Sequence, residues 1–386
     1  MLNKDLDFFA TTAKGMEFLL AQELKGIGAV EIKEVRAGVI FRGSLECAYK
    51  ACLWSRVANR VLLVLKTINA HDANQLYIGI QEINWADHLD INNTFVVDFS
   101  TNNSVRNSQL IHTHFGALKV KDAIVDQFRT LYGARPSIDP LQPDLRVNVY
   151  LHGEDATISI DLSGESLHKR GYREEGANAP LKENLAAAIL CLSGWSQDSQ
   201  IAFIDPMCGS GTLPIEAALI ASNVAPGLLR KSFGFTKWLG HRAEIWERLV
   251  QEAQEKIIQD PKKLPQIVGY DHDSQAIAVA LSNLEKAGLK GRVHFEKRAL
   301  STCEPVSAHG ILVTNPPYGE RMGDVERLKF LYQELGDLMK KKFQGWQGYI
   351  FTSNPDLAKA VGLRTSRRFV LFNGSLECRL LKYDLY

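Results

Sequence analysis

Three polar motifs, each directly after a short apolar run, leave few folds open to the second half of this chain. The apolar runs alternate with segments of helical periodicity, which predicts strands and helices wound into a doubly wound, mostly parallel α/β sheet. Ligands bind such sheets at the carboxyl ends of the strands, so the motifs are expected to face one site. The predicted strands are Ile201–Asp205, Gln266–Asp271, Val293–Glu296, Gly310–Asn315 and Gly348–Ser353.

The chain closes with two β-rich runs around Asn373-Gly374, the dipeptide that best suits a tight hairpin turn. The runs are Phe369–Phe372 and Leu376–Tyr383. We therefore expect the sheet to end in an antiparallel hairpin.

Residues 1–163 alternate short β-rich runs with amphipathic helices, which predicts a small α+β region. Its last two strands, Leu145–Leu151 and Ala156–Leu162, alternate apolar and polar side chains, so one face is expected to be buried. Residues 164–180 are polar, contain glycine and lack periodicity, a composition typical of an interdomain connection. We place the boundary near Gly164.

The composition argues against several classes of protein. No apolar stretch approaches the ~18 residues of a membrane span, and the start MLNKDLDFF does not resemble a signal peptide. The six scattered cysteines form no CxxC pair and have no histidine at zinc-ligand spacing, so neither disulfides nor a metal site is predicted. We expect a cytoplasmic protein. With a formal net charge of +1, any nucleic-acid surface must be a local patch.

In the first motif, a strand ends at an acid, turns through two glycines and opens a helix. Backbone N–H groups can then approach a ligand closely, which suits a nucleoside cofactor. Neither a three-glycine dinucleotide fingerprint nor a Walker lysine is present, so a pyrophosphate is less favoured. A tight strand-to-helix turn without a ligand is the competing interpretation. The candidate cofactor-binding residues are Asp205, Pro206, Gly209, Ser210, Gly211 and Thr212.

The second motif places Asp271 at the end of the next strand, where an acid can accept hydrogen bonds from two ribose hydroxyls. The alternative is that Asp271 or Asp273 only caps the helix that begins at Ser274. The glycine turn one strand earlier favours ribose binding by Asp271.

The third motif is Asn315-Pro316-Pro317-Tyr318. The prolines hold the backbone rigidly, so the side-chain oxygen of Asn315 and the carbonyl of Pro316 can both accept hydrogen bonds from one planar amine. Tyr318 can stack on the aromatic ring that carries this amine. A proline-rich turn that covers a sheet edge is the alternative, and it becomes weaker because all three motifs occur at strand ends in chain order.

Together these motifs resemble class I S-adenosylmethionine-dependent methyltransferases that methylate amines and carry an N-terminal THUMP RNA-binding domain. The resemblance spans nearly the whole chain and is strongest to bacterial enzymes that methylate guanine N2 in 23S ribosomal RNA. It implies that S-adenosylmethionine binds at the first two motifs, with Asn315 also at its edge, and that Asn315, Pro316 and Tyr318 hold the guanine. S-adenosylhomocysteine would be the product. The further segments that carry the resemblance are Phe9–Glu17, Asn84-Trp85, Ala117–Asp126, Asp144–Val149, Leu162–Gly164, Leu167–Arg173, Ala179–Ala187 and Asn315–Arg321.

The resemblance divides the chain into a ferredoxin-like subdomain (1–55), a THUMP domain (56–163), a linker (164–180) and a Rossmann-like methyltransferase domain (181–386). One position departs from the pattern, because this family usually has an acid that contacts adenine where this chain has Ala299. Adenine recognition is therefore left to other groups. In some bacteria such an enzyme is fused to a second methyltransferase that modifies a guanine ring nitrogen. No such activity is assigned to this sequence.

The RNA itself would have to present an unpaired guanine, or one turned out of its stack, at a cost of roughly a few kcal/mol. For Lys119 and Lys121 a solvated helix face is the competing interpretation, and the linker arginines are favoured. The candidate phosphate contacts are Arg106, Lys119, Lys121, Arg170 and Arg173.

Three alternatives stay open at this point. The substrate could be transfer RNA, or the glutamine side chain of a protein, which is also a planar amide held by an Asn-Pro-Pro-Tyr motif. The chain could also be a non-catalytic RNA-binding assembly factor. The N-terminal half argues against a protein substrate, and the intact motifs argue against a loss of activity. Neither DNA nor a membrane is expected as a partner, and the sequence leaves the oligomeric state open.

Overall fold

The computed structural model describes residues 5–102, 110, 112–173, 181–319 and 324–386. Within these ranges the helices are α1 (Glu17–Gly26), α2 (Leu45–Trp54), α3 (Ala73–Gln81), α4 (Thr113–Tyr132), α5 (Glu183–Leu192), α6 (Thr212–Ala221), α7 (Ala243–Glu255), α8 (Ser274–Lys286), α9 (Asp324–Lys342) and α10 (Pro355–Ala360). The strands are β1 (Leu6–Thr11), β2 (Val30–Val35), β3 (Gly38–Gly43), β4 (Arg60–Asn69), β5 (Thr94–Thr101), β6 (Ser137–Ile138), β7 (Leu145–His152), β8 (Asp155–Asp161), β9 (Ala202–Asp205), β10 (Ile267–Asp271), β11 (His294–Lys297), β12 (Gly310–Thr314), β13 (Gln347–Thr352), β14 (Arg367–Asn373) and β15 (Leu376–Asp384).

The C-terminal sheet has the strand order β11-β10-β9-β12-β13-β15-β14, and its first five strands are parallel. Every residue of β9, β10 and β12 is buried, as their apolar runs predict for central strands covered on both faces. The predicted α/β fold is confirmed. Because β9 lies between β10 and β12, the three polar motifs leave the sheet from adjacent strands at the same edge.

The predicted hairpin also forms. Strands β14 and β15 pair in antiparallel register up to Asn373 and Leu376, and β15 continues the sheet by pairing antiparallel with β13. Gly374 has a φ of +64°, a left-handed conformation that glycine adopts without steric cost. The sheet therefore ends in two antiparallel strands, with β14 at its free edge.

The N-terminal sheet is one continuous layer with the strand order β2-β3-β1-β4-β8-β7-β5-β6. Strand β4 pairs with β1 on one side and with β8 on the other, so it joins the first β-rich unit to the second. The α+β character expected for this half is confirmed. Strand β6 was not predicted, because its two residues are too short to show a period.

The two halves share one apolar core. It extends from residues such as Phe8 and Trp85 in the N-terminal half to Leu185 and Phe351 in the C-terminal half, while a second core around Tyr332 fills the opposite face of the C-terminal sheet. Helix α6 is buried along its whole length, which suits a helix that is apolar on all sides apart from Thr212 and Glu216. In the described ranges, no helix is long and apolar enough to cross a bilayer, and no three His, Cys, Asp or Glu side chains cluster as metal ligands would.

Polar contacts also cross between the halves. The hydroxyl of Tyr49 lies 2.7 Å from Nδ1 of His241, and the indole Nε1 of Trp238 donates to Nδ1 of His88 over 3.0 Å. The side chain of Arg56 is half-buried, and it donates to the carbonyl of Val224 over 3.0 Å. These contacts hold the C-terminal sheet at a defined position against the N-terminal half.

The polar segment after β8 is held tightly as far as Arg173, although it forms no helix or strand in its described part. The side chains of Leu167, Arg170 and Tyr172 are each only 1% exposed. The guanidinium of Arg230 donates four hydrogen bonds of 2.8–3.2 Å to this segment. The accepting carbonyls belong to Ser163, Glu165, Ser166 and Lys169. The composition of this segment is typical of a loose connection, but in the structure the segment is anchored through its backbone carbonyls by the side chain of Arg230.

Arg230→Ala should destabilise the protein, because four carbonyls lose their common hydrogen-bond donor. Those of Ser163 and Ser166 are partly buried and would be left without this donor. We expect the free energy of unfolding to fall by about 1–3 kcal/mol, the cost of leaving buried polar groups unsatisfied. Thermal or urea unfolding measures this loss, with Lys231→Ala as control, since the neighbouring lysine is exposed. Equal stability of both variants would contradict the anchoring role.

Candidate active site at the carboxyl edge of the C-terminal sheet

The glycine turn after β9 is attached to the neighbouring strand β10. The amide of Cys208 donates to the carbonyl of Tyr270 over 2.8 Å, and the amide of Gly209 donates to Oδ2 of Asp271 over 2.9 Å. On the other side of the turn, the side-chain amide of Asn283 from α8 donates to the carbonyl of Ser210 over 3.0 Å. The turn is therefore held by hydrogen bonds at three successive residues.

The two glycines of this turn serve different purposes. Both have positive φ angles, +53° for Gly209 and +82° for Gly211. A Cβ on Gly211 would lie 2.8 Å from the ring of Phe295, so glycine is needed there for packing. A Cβ on Gly209 would meet nothing within 4 Å. The space above Gly209 is thus open to a ligand that approaches the backbone.

Asp205 ends β9 and is only 2% exposed. Its Oδ1 accepts a hydrogen bond of 3.1 Å from the amide of Met207. Burial, with a smaller contribution from the nearby carboxylate of Asp271, nevertheless raises the pKa of Asp205 to about 7. The strand end therefore holds a buried acid whose charge changes near neutral pH.

Two other residues of the first motif have roles inside the protein. The hydroxyl of Thr212 accepts a hydrogen bond from the guanidinium of Arg173, which also donates to the carbonyl of Leu181 over 3.1 Å. The same guanidinium lies 3.7 Å from the buried carboxylate of Glu183. Pro206 is buried at the start of the turn, whereas Ser210 is half-buried. The structure thus directs the hydroxyl of Thr212 towards Arg173.

The sequence left two roles open for Asp271 and Asp273, ribose binding and capping of α8, and the structure separates the two residues. Asp273 is the cap of α8, because its side chain accepts from the amide of Gln275 over 2.8 Å. The carboxylate of Asp271 accepts from the amides of Gly209 and Asp273 instead, and its side chain keeps 11% of its surface exposed. Asp271 is therefore held at the strand end with a small part of its carboxylate open to the edge.

The third motif forms a rigid turn after β12. The hydroxyl of Tyr318 donates to Oδ1 of Asn315. The hydroxyl of Tyr332 donates to the carbonyl of Pro317 over 3.3 Å. The side-chain amide of Asn354 donates to the carbonyl of Tyr318 over the same distance. Pro316 is buried and Asn315 half-buried. Burial raises the pKa of Tyr318 far above its ordinary value, so its hydroxyl stays protonated and remains a donor.

The structure brings the candidate residues of the second half together. Asp205, Gly209 and Asp271 are joined by the hydrogen bonds of the glycine turn, and Asn315 leaves the sheet from the adjacent strand β12. The ring of Tyr318 packs edge-on against Phe351 of β13, with the ring centroids 6.3 Å apart. The result is an open edge with a backbone cradle and a carboxylate on one side, and an amide oxygen and an aromatic ring on the other.

The position expected to contact adenine is also clear. Ala299 is exposed and begins a short 3-10 turn, and it has no group that could replace an acid. The preceding Arg298 pairs with Glu296 at 2.9 Å and lies over the ring of Tyr270, 4.5 Å from its centroid. The departure seen in the sequence is therefore not compensated by these side chains.

Two of the predicted phosphate contacts are corrected by the structure. Arg170 is 1% exposed, donates to the carbonyl of Leu167 over 2.6 Å and lies 3.6 Å from the carboxylate of Glu216. The side chain of Arg173 is 14% exposed and is directed towards Thr212, as described above. Both guanidinium groups are committed to partners inside the protein, so neither is available to an RNA phosphate.

The remaining phosphate candidates are on or before α4. Lys121 pairs with Asp122 at 2.6 Å, and the ammonium of Lys119 lies 5.7 Å from the ring centroid of Phe115. Both lysines are half-buried on the helix surface. Arg106 lies outside the described residues. Phosphate binding by the two lysines therefore stays a prediction. Both are far in sequence from the motifs at the carboxyl edge, and their contacts given above are within α4.

The sequence analysis missed the polar residues that support the site from behind. Glu183 and Asn283 are buried, with 4% and 2% of their surface exposed, and each is placed on a helix that packs against the glycine turn or its neighbours. A signal was present, because both are polar residues at positions where the helical period predicts a buried face. Such residues need partners inside the protein.

Known families match the chain in three consecutive parts. A family described as the RlmL ferredoxin-like domain matches residues 7–62, and the THUMP domain matches residues 70–161. A family described as the RMKL-like methyltransferase domain matches residues 170–382. These matches follow the order of the N-terminal and C-terminal sheets.

Similar proteins match over the full length of the chain. It is 48% identical to the ribosomal RNA large subunit methyltransferase K/L of Syntrophotalea carbinolica, over 100% of this chain and 54% of that protein. It is 50% identical to the protein of the same name from Methylococcus capsulatus, over 98% and 51%. The chain thus spans about half the length of the curated relatives it matches. Among solved structures, the methyltransferase SMU.472 complexed with SAH is 30% identical over 99% of both chains, with a TM-score of 0.88.

Asp205→Asn should change how stability depends on pH. The folded protein keeps the proton of Asp205 up to about pH 7, whereas the unfolded chain releases it near the ordinary pKa of 3.8. The folded state therefore binds more protons over this window, and the contribution of Asp205 to the free energy of unfolding falls as pH rises through it. The variant should lose less stability than the original protein between pH 5 and pH 8.

Urea unfolding at both pH values tests this, with the exposed Asp198→Asn as control. An equal loss of stability in Asp205→Asn and in the original protein would show that Asp205 is already ionised in the fold.

Proposed function

This chain belongs to the RMKL-like methyltransferase family, and from that premise we propose that it transfers a methyl group from S-adenosylmethionine to the exocyclic N2 amine of a guanine in 23S ribosomal RNA. The observation that carries the proposal is the meeting of the glycine turn and Asp271 with Asn315 and Tyr318 at one edge of the sheet. The names of the relatives support the large ribosomal RNA as substrate. This substrate places the proposed reaction in the bacterial cytoplasm.

The residues present fit S-adenosylmethionine. The open space above Gly209 suits a cofactor that lies against the backbone, and the exposed part of the Asp271 carboxylate suits a ribose hydroxyl. When bound, the cofactor supplies a methyl group on a positively charged sulfur. We assign Asp205, Pro206, Ser210, Gly211 and Thr212 to the wall of this site, with Thr212 acting through Arg173 and the helix start rather than through a free hydroxyl.

The target amine is assigned to the third motif. An exocyclic amine is a poor nucleophile because its lone pair is delocalised into the ring. Two acceptors, Oδ1 of Asn315 and the carbonyl of Pro316, would hold both N–H bonds and turn the lone pair towards the methyl group. The hydroxyl of Tyr318 now donates to the same oxygen of Asn315, so it keeps that amide oriented before the base arrives. Its ring provides the stacking surface.

The N-terminal half is assigned to RNA. The match to a THUMP domain supports an RNA-binding unit in the region that we place at residues 56–163. A protein glutamine would satisfy the same acceptors, but it gives no reason for this half of the chain. Transfer RNA would satisfy the chemistry equally, and only the names of the relatives favour ribosomal RNA over it.

Mass spectrometry of nucleosides tests the substrate. Ribosomal and transfer RNA from cells that lack the gene would be incubated with the purified protein and S-adenosylmethionine. New N2-methylguanosine in 23S ribosomal RNA is the expected result. Its appearance only in transfer RNA would overturn the substrate, and no methylated base in either would overturn the assignment to RNA.

Asn315→Ala should abolish methyl transfer by at least about a hundredfold while the Kd for S-adenosylmethionine changes only a few fold, because this side chain acts mainly on the amine. Asn315→Asp keeps the acceptor oxygen and is the matched variant, from which we expect partial activity. Single-turnover rates and calorimetric cofactor binding measure the two effects. A large loss of cofactor binding in Asn315→Ala would show that its role lies on the cofactor side.

Asp271→Ala should do the reverse and weaken cofactor binding first, by roughly tenfold or more, since charged hydrogen bonds to ribose are lost. Asp271→Asn keeps an acceptor for the amide of Gly209, so it separates ribose binding from support of the turn. Calorimetric titration with S-adenosylmethionine gives the Kd of each variant. Tight binding by Asp271→Ala would exclude the ribose assignment.

A further inference from the structure

A corner of the N-terminal half lies against the terminal hairpin of the catalytic sheet. The loop between β1 and α1 approaches the free edge of β14 so closely that a Cβ on Gly15 would lie 2.5 Å from the carbonyl oxygen of Val370. The ammonium of the adjacent Lys14 lies over the ring of Phe372, 4.5 Å from its centroid. We call the surface formed by Lys14, Arg36 and Phe372 the basic corner.

Strand directions place the basic corner at the active edge. Strands β13 and β14 both run antiparallel to β15, so β14 runs parallel to β13 and to the strands that carry the three motifs. Thr352, at the carboxyl end of β13, is level with Val370 through their common partner Arg379. Phe372 lies two residues further along β14. The hairpin tip therefore projects past the edge at which the methyl transfer is proposed.

The aromatic ring of the target site is close to the same hairpin. Tyr318 packs against Phe351, and Phe351 is paired with Leu380 of β15. The core that Tyr318 and Phe351 join also contains Leu371 and the apolar residues of the N-terminal half. Tyr318 and the N-terminal half therefore share one face of the C-terminal sheet. Phe372 follows Leu371 in β14, so its side chain is directed to the other face, and Lys14 contacts its ring at the end of the hairpin.

One acidic residue builds the corner. The carboxylate of Glu17 accepts from the amide of Gly15 over 2.7 Å and from the amide of Ala37 over 2.9 Å. The amide of Thr12 donates to the carbonyl of Ala37 over 3.0 Å. The loop that carries Lys14 and the β2–β3 turn that carries Arg36 are thus joined into one unit, and both cations are exposed on it.

Within the described ranges neither Lys14 nor Arg36 forms an ion pair, whereas the nearby Glu377 is paired with Arg379 at 3.6 Å. Cations beside a partly exposed aromatic ring are a combination that binds single-stranded nucleic acid, by phosphate contact and base stacking. Here the ring is the half-buried Phe372, with the ammonium of Lys14 over it. A folded protein surface would instead need a larger apolar patch.

We propose that the basic corner holds the single-stranded RNA beside the target guanine, with phosphates on Lys14 and Arg36 and a neighbouring base against Phe372. The inference rests on the proposed function and adds an RNA contact that is separate from the THUMP region. It assigns the ferredoxin-like subdomain an RNA contact at the end of the terminal hairpin, past the edge at which the methyl transfer is proposed.

The test is the salt dependence of methylation of an in vitro transcript of 23S ribosomal RNA. Lys14→Ala and Arg36→Ala should each lower kcat/KM roughly three- to tenfold, through a higher KM for RNA. They should also reduce the slope of log(kcat/KM) against log[salt] by about 0.7, the release expected for one contact to a single strand. Lys25→Ala, an exposed lysine at the end of α1, is the control, and Lys14→Arg should restore the slope.

The outcomes separate this inference from the proposed function. Methylation by the original protein with unchanged salt slopes in both variants would overturn the basic corner alone. A slope that changes equally in Lys25→Ala would do the same, because it would reflect general charge. Absence of methylation by the original protein would overturn the proposed function and this inference together. Calorimetry of S-adenosylmethionine should give the same Kd for all variants, and a weaker Kd would assign Lys14 a structural role instead.

Discussion

The hydrogen bond from the Gly209 amide to the Asp271 carboxylate is the contact on which the rest of the site depends. It joins the ends of two adjacent parallel strands, so the turn after β9 and the acid after β10 hold each other in place. The same contact fixes the backbone of Gly209. The space beside this backbone stays open because glycine has no side chain to fill it. A cradle and its carboxylate are thereby fixed without a ligand.

The N-terminal half is part of this arrangement rather than an appended module. Strand β4 links its two units in one sheet, Arg230 anchors the segment that leads into the catalytic half, and a common core lies beneath both. Two small domains that each had a separate apolar core would be free to move relative to one another. Here the shared apolar core and the hydrogen bonds of Arg56 and Arg230 resist such motion, so an RNA held by the first half would meet the catalytic edge at a defined position.

Arg170 and Arg173 show why charge in a sequence is a poor guide to a binding surface. Both occur in a polar, glycine-containing segment that is typical of an exposed connection, yet Arg170 is buried, Arg173 is largely covered, and both contact carboxylates and carbonyls. Their partners Glu216, Glu183 and Thr212 are distant in sequence or belong to an apolar helix. Nothing in the local pattern reveals that a cation is already paired.

Local periodicity and turn chemistry were enough to predict the α/β fold, the five parallel strands to within one residue at each end, and the polar residues that follow β9, β10 and β12. The order of the strands in the sheet came from the tertiary structure, as did the division between residues that face the edge and residues that support it. The tertiary structure gave Asp273 the helix cap, turned Thr212 towards Arg173 and brought Lys14 to the terminal hairpin. These outcomes depend on contacts between distant parts of the chain, which local patterns do not encode.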